Sequence, residues 1–251
     1  MKKTTWKHLL AISCLALPII NSAMADEINI AVASNFADPI KELTGRFEER
    51  TGHRINLVLG STGKHYAQIK NGAPFAAFFA ADARRPELLE KEGVALPGSR
   101  FTYAVGRIVL WSPRKGYVDS QGELLEHKPF HHLAIANPRL APYGKAAQQF
   151  LQARGLWEGL QGRMVRGENI GQTFQFVRSG SAELGIVAYS QVKRPGHPLE
   201  GSLWEIPPTE YAPIEQQAVL LKENPVAREF MAFIKSPEAI DIILGFGYAI
   251  P

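Results

Sequence analysis

From residue 28 onward, short apolar runs alternate with longer stretches whose apolar residues recur every three or four positions. INIAVAS (28–34), rich in β-branched residues, predicts a buried strand. Ile40, Leu43 and Phe47 then fall on one helical face, and Gly52 supplies a stop. INLVLG (55–60) predicts a second strand, KHYAQIKNG (64–72) a helix, FAAFFAA (75–81) a third strand and RPELLEKEG (85–93) a third helix. The alternation continues through strands at 106–113 and 132–138, helices at 144–155 and 170–180, and strands at 184–190 and 216–221. Two helices broken at Pro237 close the chain.

Such alternation predicts parallel sheets covered by helices on both faces. Ligands of these sheets bind beyond the carboxyl ends of the strands. Four junctions satisfy that rule: ASNF (33–36), GSTGK (60–64), NPRLAPYGK (137–145) and GENIGQ (167–172). Most of them sit where a helix begins.

The first 25 residues have a different character. Lys2, Lys3 and Lys7 precede an apolar run from Leu9 to Ile20, and small residues surround a cut expected after Ala25. This is the layout of a cleaved secretory leader, too short and too interrupted at Pro18 to span a membrane comfortably. The leader holds three lysines and no acidic residue. Its removal takes 28 basic side chains to 25 against 24 acidic, a net charge of +1. Nucleic-acid binding thereby loses its electrostatic support. The single cysteine, Cys14, leaves with the leader, so the remaining chain has no disulfide, thiolate nucleophile or cysteine metal site.

GSTGK resembles a phosphate loop, but Val58 stands where that motif needs its first glycine and His65 where it needs a magnesium-binding hydroxyl. The remaining device is a helix start, whose free N–H groups and positive dipole end suit an anion. Ser61 and Thr62 precede one such start; alone, either reads equally as a helix cap. Ser34 and Asn35 stand between a strand and a helix. Tyr143 follows Pro142 at a third junction, and Ile170 with Asn169 opens a fourth. Four such ends predict several donors converging on one anion. None of the proposed contacts is charged, which favours a fully ionised tetrahedral oxyanion over a protonated phosphate. Lys64 is expected to be a solvated helix lysine. Hydroxyls of Thr62 and Tyr143 that face only a ligand would let Thr62→Ala and Tyr143→Phe weaken binding without changing the melting temperature of the free protein.

These segments, in this order, are similar to the periplasmic molybdate-binding proteins of ABC importers. The resemblance runs from INIAVASNF to SPEAIDIILGFGYAIP and includes IANPRLAPYGKAA and GENIGQTFQFVRSGSAELGIVAYSQ. It implies a type II two-lobed binding protein, each lobe a mainly parallel sheet flanked by helices, with an oxyanion in the interlobe cleft. Residues 26–105 and 212–251 would form one lobe and 106–211 the other. It further implies Asn35 and Thr62 as side-chain donors, Ser34 and Ser61 as hydroxyl or backbone donors, the Tyr143 hydroxyl, and the Ile170 backbone N–H. The implied ligand is molybdate or tungstate, with no cofactor and no metal-ligating side chain. The implied partner is a membrane permease, met by a periplasmic monomer. Two positions depart from the pattern. Ala188 follows GIV where some relatives carry tyrosine, and strand alternation would turn Tyr189 the other way. Ala76 replaces a common aspartate, expected to be structural.

Two other readings bear on the same residues. A two-lobed receptor for ferric ion or another small anion would want tyrosine, histidine or carboxylate clusters, and only Tyr143 and Tyr189 stand near the expected cleft. An enzyme would need an acid–base or nucleophilic constellation. His131 and His132 are adjacent and point to opposite strand faces, and SGSAELG is not a nucleophile elbow.

Overall fold

A computed structural model describes residues 26–127 and 129–251. The expected leader lies outside the described residues. The first sheet is built from β1 (Glu27–Ala33), followed by a 3-10 turn at Ser34–Phe36 and α1 (Ala37–Thr51); β2 (Arg54–Gly60) and α2 (Thr62–Lys70); β3 (Ala77–Phe79) and α3 (Arg84–Lys91); and β4 (Phe101–Gly106). The chain then enters the second sheet with β5 (Ile108–Ser112), α4 (Leu124–His127), β6 (Leu133–Ala136), α5 (Pro142–Ala153), α6 (Trp157–Leu160), β7 (Met164–Gly167), α7 (Ile170–Arg178), β8 (Leu184–Ala188), α8 (Tyr189–Val192) and β9 (Ser202–Glu205). It returns to the first with β10 (Ile214–Leu220) and ends in α9 (Pro225–Ile234) and α10 (Pro237–Gly245).

The sheet orders are β2-β1-β3-β10-β4 and β7-β6-β8-β5-β9. In the first, β10 alone runs against the other four strands; in the second, β5 does. The fold is therefore two α/β lobes, each with a mainly parallel sheet. The chain crosses between sheets at Arg107, and again between Glu205 and Ile214.

Strand alternation explains the cores. Ile30 and Val32 face Phe36, Ile40, Leu43 and Phe47 of the α1 side, together with Phe230 of α9. Their neighbour Ala31 faces the opposite way, toward Ile69 of α2 and Leu89 of α3. In the second lobe Ile108 and Leu110 face Phe150 of α5, and Val109 and Trp111 face Phe174 and Val177 of α7. Strands buried on both faces read as continuous apolar runs, which is why periodicity found them.

Four differences from the sequence reading follow from context. Residues 101–105, not read as a strand, form most of the edge strand β4, and the strand expected over 106–113 starts only after the crossing at Arg107. The short strands β7 and β9 carry exposed or half-buried positions and lack an apolar run. α2 and α5 begin two residues earlier than expected, which places Thr62 and Tyr143 inside first turns. β8 ends at Ala188, so Tyr189 opens a short helix and its direction is not set by strand alternation. Its ring instead lies under the Arg107 guanidinium, 4.6 Å away, and does not line the cleft. Ala76 is fully buried in the α1-side core, and its N–H and C=O are paired with Asn29 and Leu221.

Candidate functional site

Register places the site. β1 and β2 pair in parallel up to Ala33 opposite Gly60, so Ser34 and Ser61 leave the first sheet side by side. β6 and β7 pair up to Ala136 opposite Gly167, so the loops carrying Tyr143 and Ile170 leave the second sheet together. The four strand ends face one another across the lobes around a small, partly open cavity. Ser34, Asn35, Ser61, Thr62, Tyr143 and Ile170 all line it, with Asn169 and apolar neighbours; no charged side chain does.

The two helix starts α2 and α7 have the same bookkeeping of N–H groups. At the third helical position, Lys64 N–H bonds the Ser61 hydroxyl (3.3 Å) and Gln172 N–H bonds Asn169 Oδ1 (2.9 Å). At the second, Gly63 N–H reaches across the lobes to the Leu140 carbonyl (2.8 Å), and Gly171 N–H crosses to the Ser34 hydroxyl (3.1 Å). The first position, Thr62 and Ile170, keeps an N–H with no acceptor inside its helix. The turn at Ser34–Phe36 runs straight into α1, so Ser34 and Asn35 supply leading N–H groups of a third start.

The hydroxyls are oriented by what they accept. Thr62 Oγ1 accepts the Ala81 N–H (3.0 Å), Ser61 Oγ accepts Lys64 N–H, and the Tyr143 oxygen accepts from Gln216 Nε2 (3.0 Å). Ser61 and Thr62 keep an O–H proton to give, and the Tyr143 proton has the Tyr248 hydroxyl as a second acceptor beside the cavity. Burial pushes Tyr143 well above the ordinary tyrosine range, so it remains a donor at physiological pH. Burial lowers His65, whose Nε2 meets the Val32 carbonyl at 3.2 Å, so the imidazole behind Gly60 stays neutral.

Four expectations change. The Asn35 amide does not point its donors at the cavity. It gives them to Gln216 Oε1 (2.6 Å) and the Tyr248 hydroxyl (3.0 Å), so its backbone N–H is the donor left over. The Ser34 hydroxyl is also engaged: it donates to Asn169 Oδ1 (3.1 Å) while accepting Gly171 N–H. Thr62 and Tyr143 face both ways, so neither side chain touches a ligand alone. Lys64 is not simply solvated; it pairs across the lobes with Glu168 at 3.1 Å. His131 and His132 are exposed, and both of their N–H groups are held by the Glu183 carboxylate.

Sequence reasoning missed the layer beneath. Gln216 is fully buried and joins Tyr143 of the second lobe to Asn35 and Tyr103 of the first. Tyr248 donates to the Asn35 carbonyl (2.8 Å), and burial pushes its hydroxyl up to about 12. Ser190 donates to the same carbonyl from the other lobe (3.1 Å). The available signal was QQ at 216–217, two amides inside an apolar strand, since buried amides require partners. Gly106 lies against this layer: a Cβ there would overlap the Tyr143 hydroxyl and stand 2.7 Å from Gln216 Nε2.

Known proteins are similar to this chain over nearly its whole length. The sequence pattern described as bacterial extracellular solute-binding protein matches residues 28–249. The molybdate-binding protein ModA of Azotobacter vinelandii is 49% identical over 232 residues, 91% of this chain and 92% of that one. ModA of Rhodobacter capsulatus is 46% identical over 238 residues, covering 93% and 91%. The solved periplasmic molybdate-binding protein of Azotobacter vinelandii superposes with a TM-score of 0.87 at 44% identity, covering 89% of this chain and 99% of that one. The chain belongs to the bacterial extracellular solute-binding proteins, in the branch of the molybdate-binding protein ModA.

Proposed function

We propose that the protein captures molybdate, and tungstate equally, in the periplasm and delivers it to the permease of an ABC importer, acting as a monomer without cofactor or catalytic step. The carrying observation is a cavity between two lobes in which the Ser61, Thr62 and Tyr143 hydroxyl oxygens each already accept a hydrogen bond from the protein, so that the role left to each is donor. With the N–H groups of Asn35, Thr62 and Ile170, they form a set that gives hydrogen bonds to an oxyanion. A fully ionised dianion accepts all of them. Hydrogen phosphate brings a proton for which the lining offers no carboxylate, and a ferric ion would find no anionic ligand in it. Sulfate is smaller than molybdate and would leave donors unmet in a rigid site.

Titration calorimetry with molybdate, tungstate, sulfate and phosphate tests this reading. The expected result is one tight site for the first two and binding weaker by about a hundredfold or more for the others, from two or three imperfect hydrogen bonds at about 1 kcal/mol each. Sulfate binding as tightly as molybdate would overturn it.

Thr62→Val is expected to weaken molybdate about tenfold or more, the cost of one hydrogen bond to a charged group. It also leaves the Ala81 N–H unpaired in a buried place. Scanning calorimetry of the free variant should therefore show a lower melting temperature, unlike the neutral change that a purely ligand-facing hydroxyl would give. An unchanged affinity would remove Thr62 from the site.

A further inference from the structure

We propose that a basic groove beside the cavity is an outer collecting site for the dianion, and that it sets the rate of capture. The inference rests on the oxyanion reading above and concerns a different set of residues. The groove, of about 980 Å³, runs between the lobes and shares two walls, Ala81 and Pro142, with the oxyanion cavity. Five cations line it, Arg84, Arg85, Arg139, Lys145 and Arg166, against two carboxylates, Asp82 and Glu215. The groove thus carries +3, although residues 26–251 together carry only +1. Arg85 is paired with Asp82. Among the described residues the other four cations have no carboxylate partner, so their field is not cancelled locally.

Two cross-lobe contacts separate groove from cavity: Gly63 N–H to the Leu140 carbonyl, and Arg85 Nη2 to the Arg139 carbonyl at 3.3 Å. The first is tight enough that a Cβ on Gly63 would stand 2.9 Å from the Leu140 oxygen. When these contacts part, the two spaces become one, with cations from both lobes around the opening. The division of labour is physical. Neutral donors discriminate at hydrogen-bond distance but attract little from afar. A cleft with one sign of charge concentrates counter-ions and raises association rates by factors of roughly 10 to 1,000.

Stopped-flow fluorescence with molybdate, together with equilibrium titration, tests the proposal on the full mature protein. The association rate of the unaltered protein is expected to fall at least about tenfold between low salt and physiological ionic strength. The triple variant Arg84→Gln/Arg139→Gln/Lys145→Gln should associate about tenfold more slowly at low salt and lose most of the salt dependence, with its dissociation rate unchanged. Lys222→Gln, which removes an exposed charge outside the groove, should behave as the unaltered protein. A triple variant with native association kinetics, or one altered only in dissociation, would overturn the groove proposal while leaving molybdate capture intact. Failure of the unaltered protein to bind molybdate would overturn both.

Discussion

Replacing Gln216 by glutamate is expected to weaken molybdate binding more than about a hundredfold at pH 8. The Gln216 amide nitrogen donates to the Tyr143 hydroxyl, which leaves the tyrosine proton for the cavity. A carboxylate there accepts that proton instead, and the tyrosine then presents lone pairs to an anion. The new charge adds repulsion of roughly 3 kcal/mol per unit of ligand charge at about 5 Å and an effective dielectric near 20. Repulsion on that scale exceeds the loss of one hydrogen bond, about 1.5–3 kcal/mol when the partner is charged. Burial raises a carboxyl pKa, and the protonated acid can donate to Tyr143 as the amide does. Affinity should therefore recover as pH falls from 8 to 6, the opposite of the flat profile expected for the unaltered site. Calorimetric dissociation constants at the two pH values check both claims; native affinity at pH 8 would show that Gln216 does not orient Tyr143.

Gly106→Ala is expected to cost about thirtyfold or more in affinity, at least the loss of the Tyr143 hydrogen bond to a charged ligand, while lowering the melting temperature of the free protein by no more than a few degrees. The added methyl overlaps the Tyr143 hydroxyl and crowds Gln216. Tyr143 is 1% exposed and packed in the second-lobe core, so its ring cannot swing aside. The lobes must stay apart instead. The clash with Tyr143 arises across the lobes and penalises the closed form, while the contact with Gln216 lies within the first lobe at the movable end of its side chain. Ligand at a hundred times the unaltered dissociation constant stabilises the unaltered protein by about 2.7 kcal/mol, and at that concentration a variant weakened thirtyfold or more keeps at most about 0.9 kcal/mol of it. A normal ligand-induced shift in melting temperature would sink the argument.

Both variants act through residues that no local pattern exposes. Gln216 is 181 positions from Asn35 and 73 from Tyr143. Gly106 reads as the opening residue of a predicted strand until Tyr143 packs on it. The six lining residues, by contrast, were found from the sequence, because the rule that placed them is local: a strand ends, a helix begins, and the N–H groups of the first turn have no partner. What the rule could not say is how each residue is used. The family resemblance implied the Asn35 side chain as a donor, whereas the buried amide is spent on Gln216 and Tyr248 and the backbone is left to face the cavity. Lys64 reads as solvated in the sequence because Glu168, its partner, lies in the other lobe.

The same division holds for the fold. Strands buried on both faces, such as β1, β5 and β8, declare themselves as apolar runs, and helices with one buried face declare themselves by their spacing. Edge elements such as β4, β7 and β9 do not, since their register comes from the strands they join. The sequence by itself determined that this chain forms α/β layers and presents helix starts rich in hydroxyls and free N–H groups, because those properties depend on residues within a turn of one another. Only the tertiary structure decided which hydroxyl protons point into the cleft, which donors are consumed across it, and that five scattered cations share one groove, because hydrogen-bond direction and electric field are set by atoms brought together from distant parts of the chain.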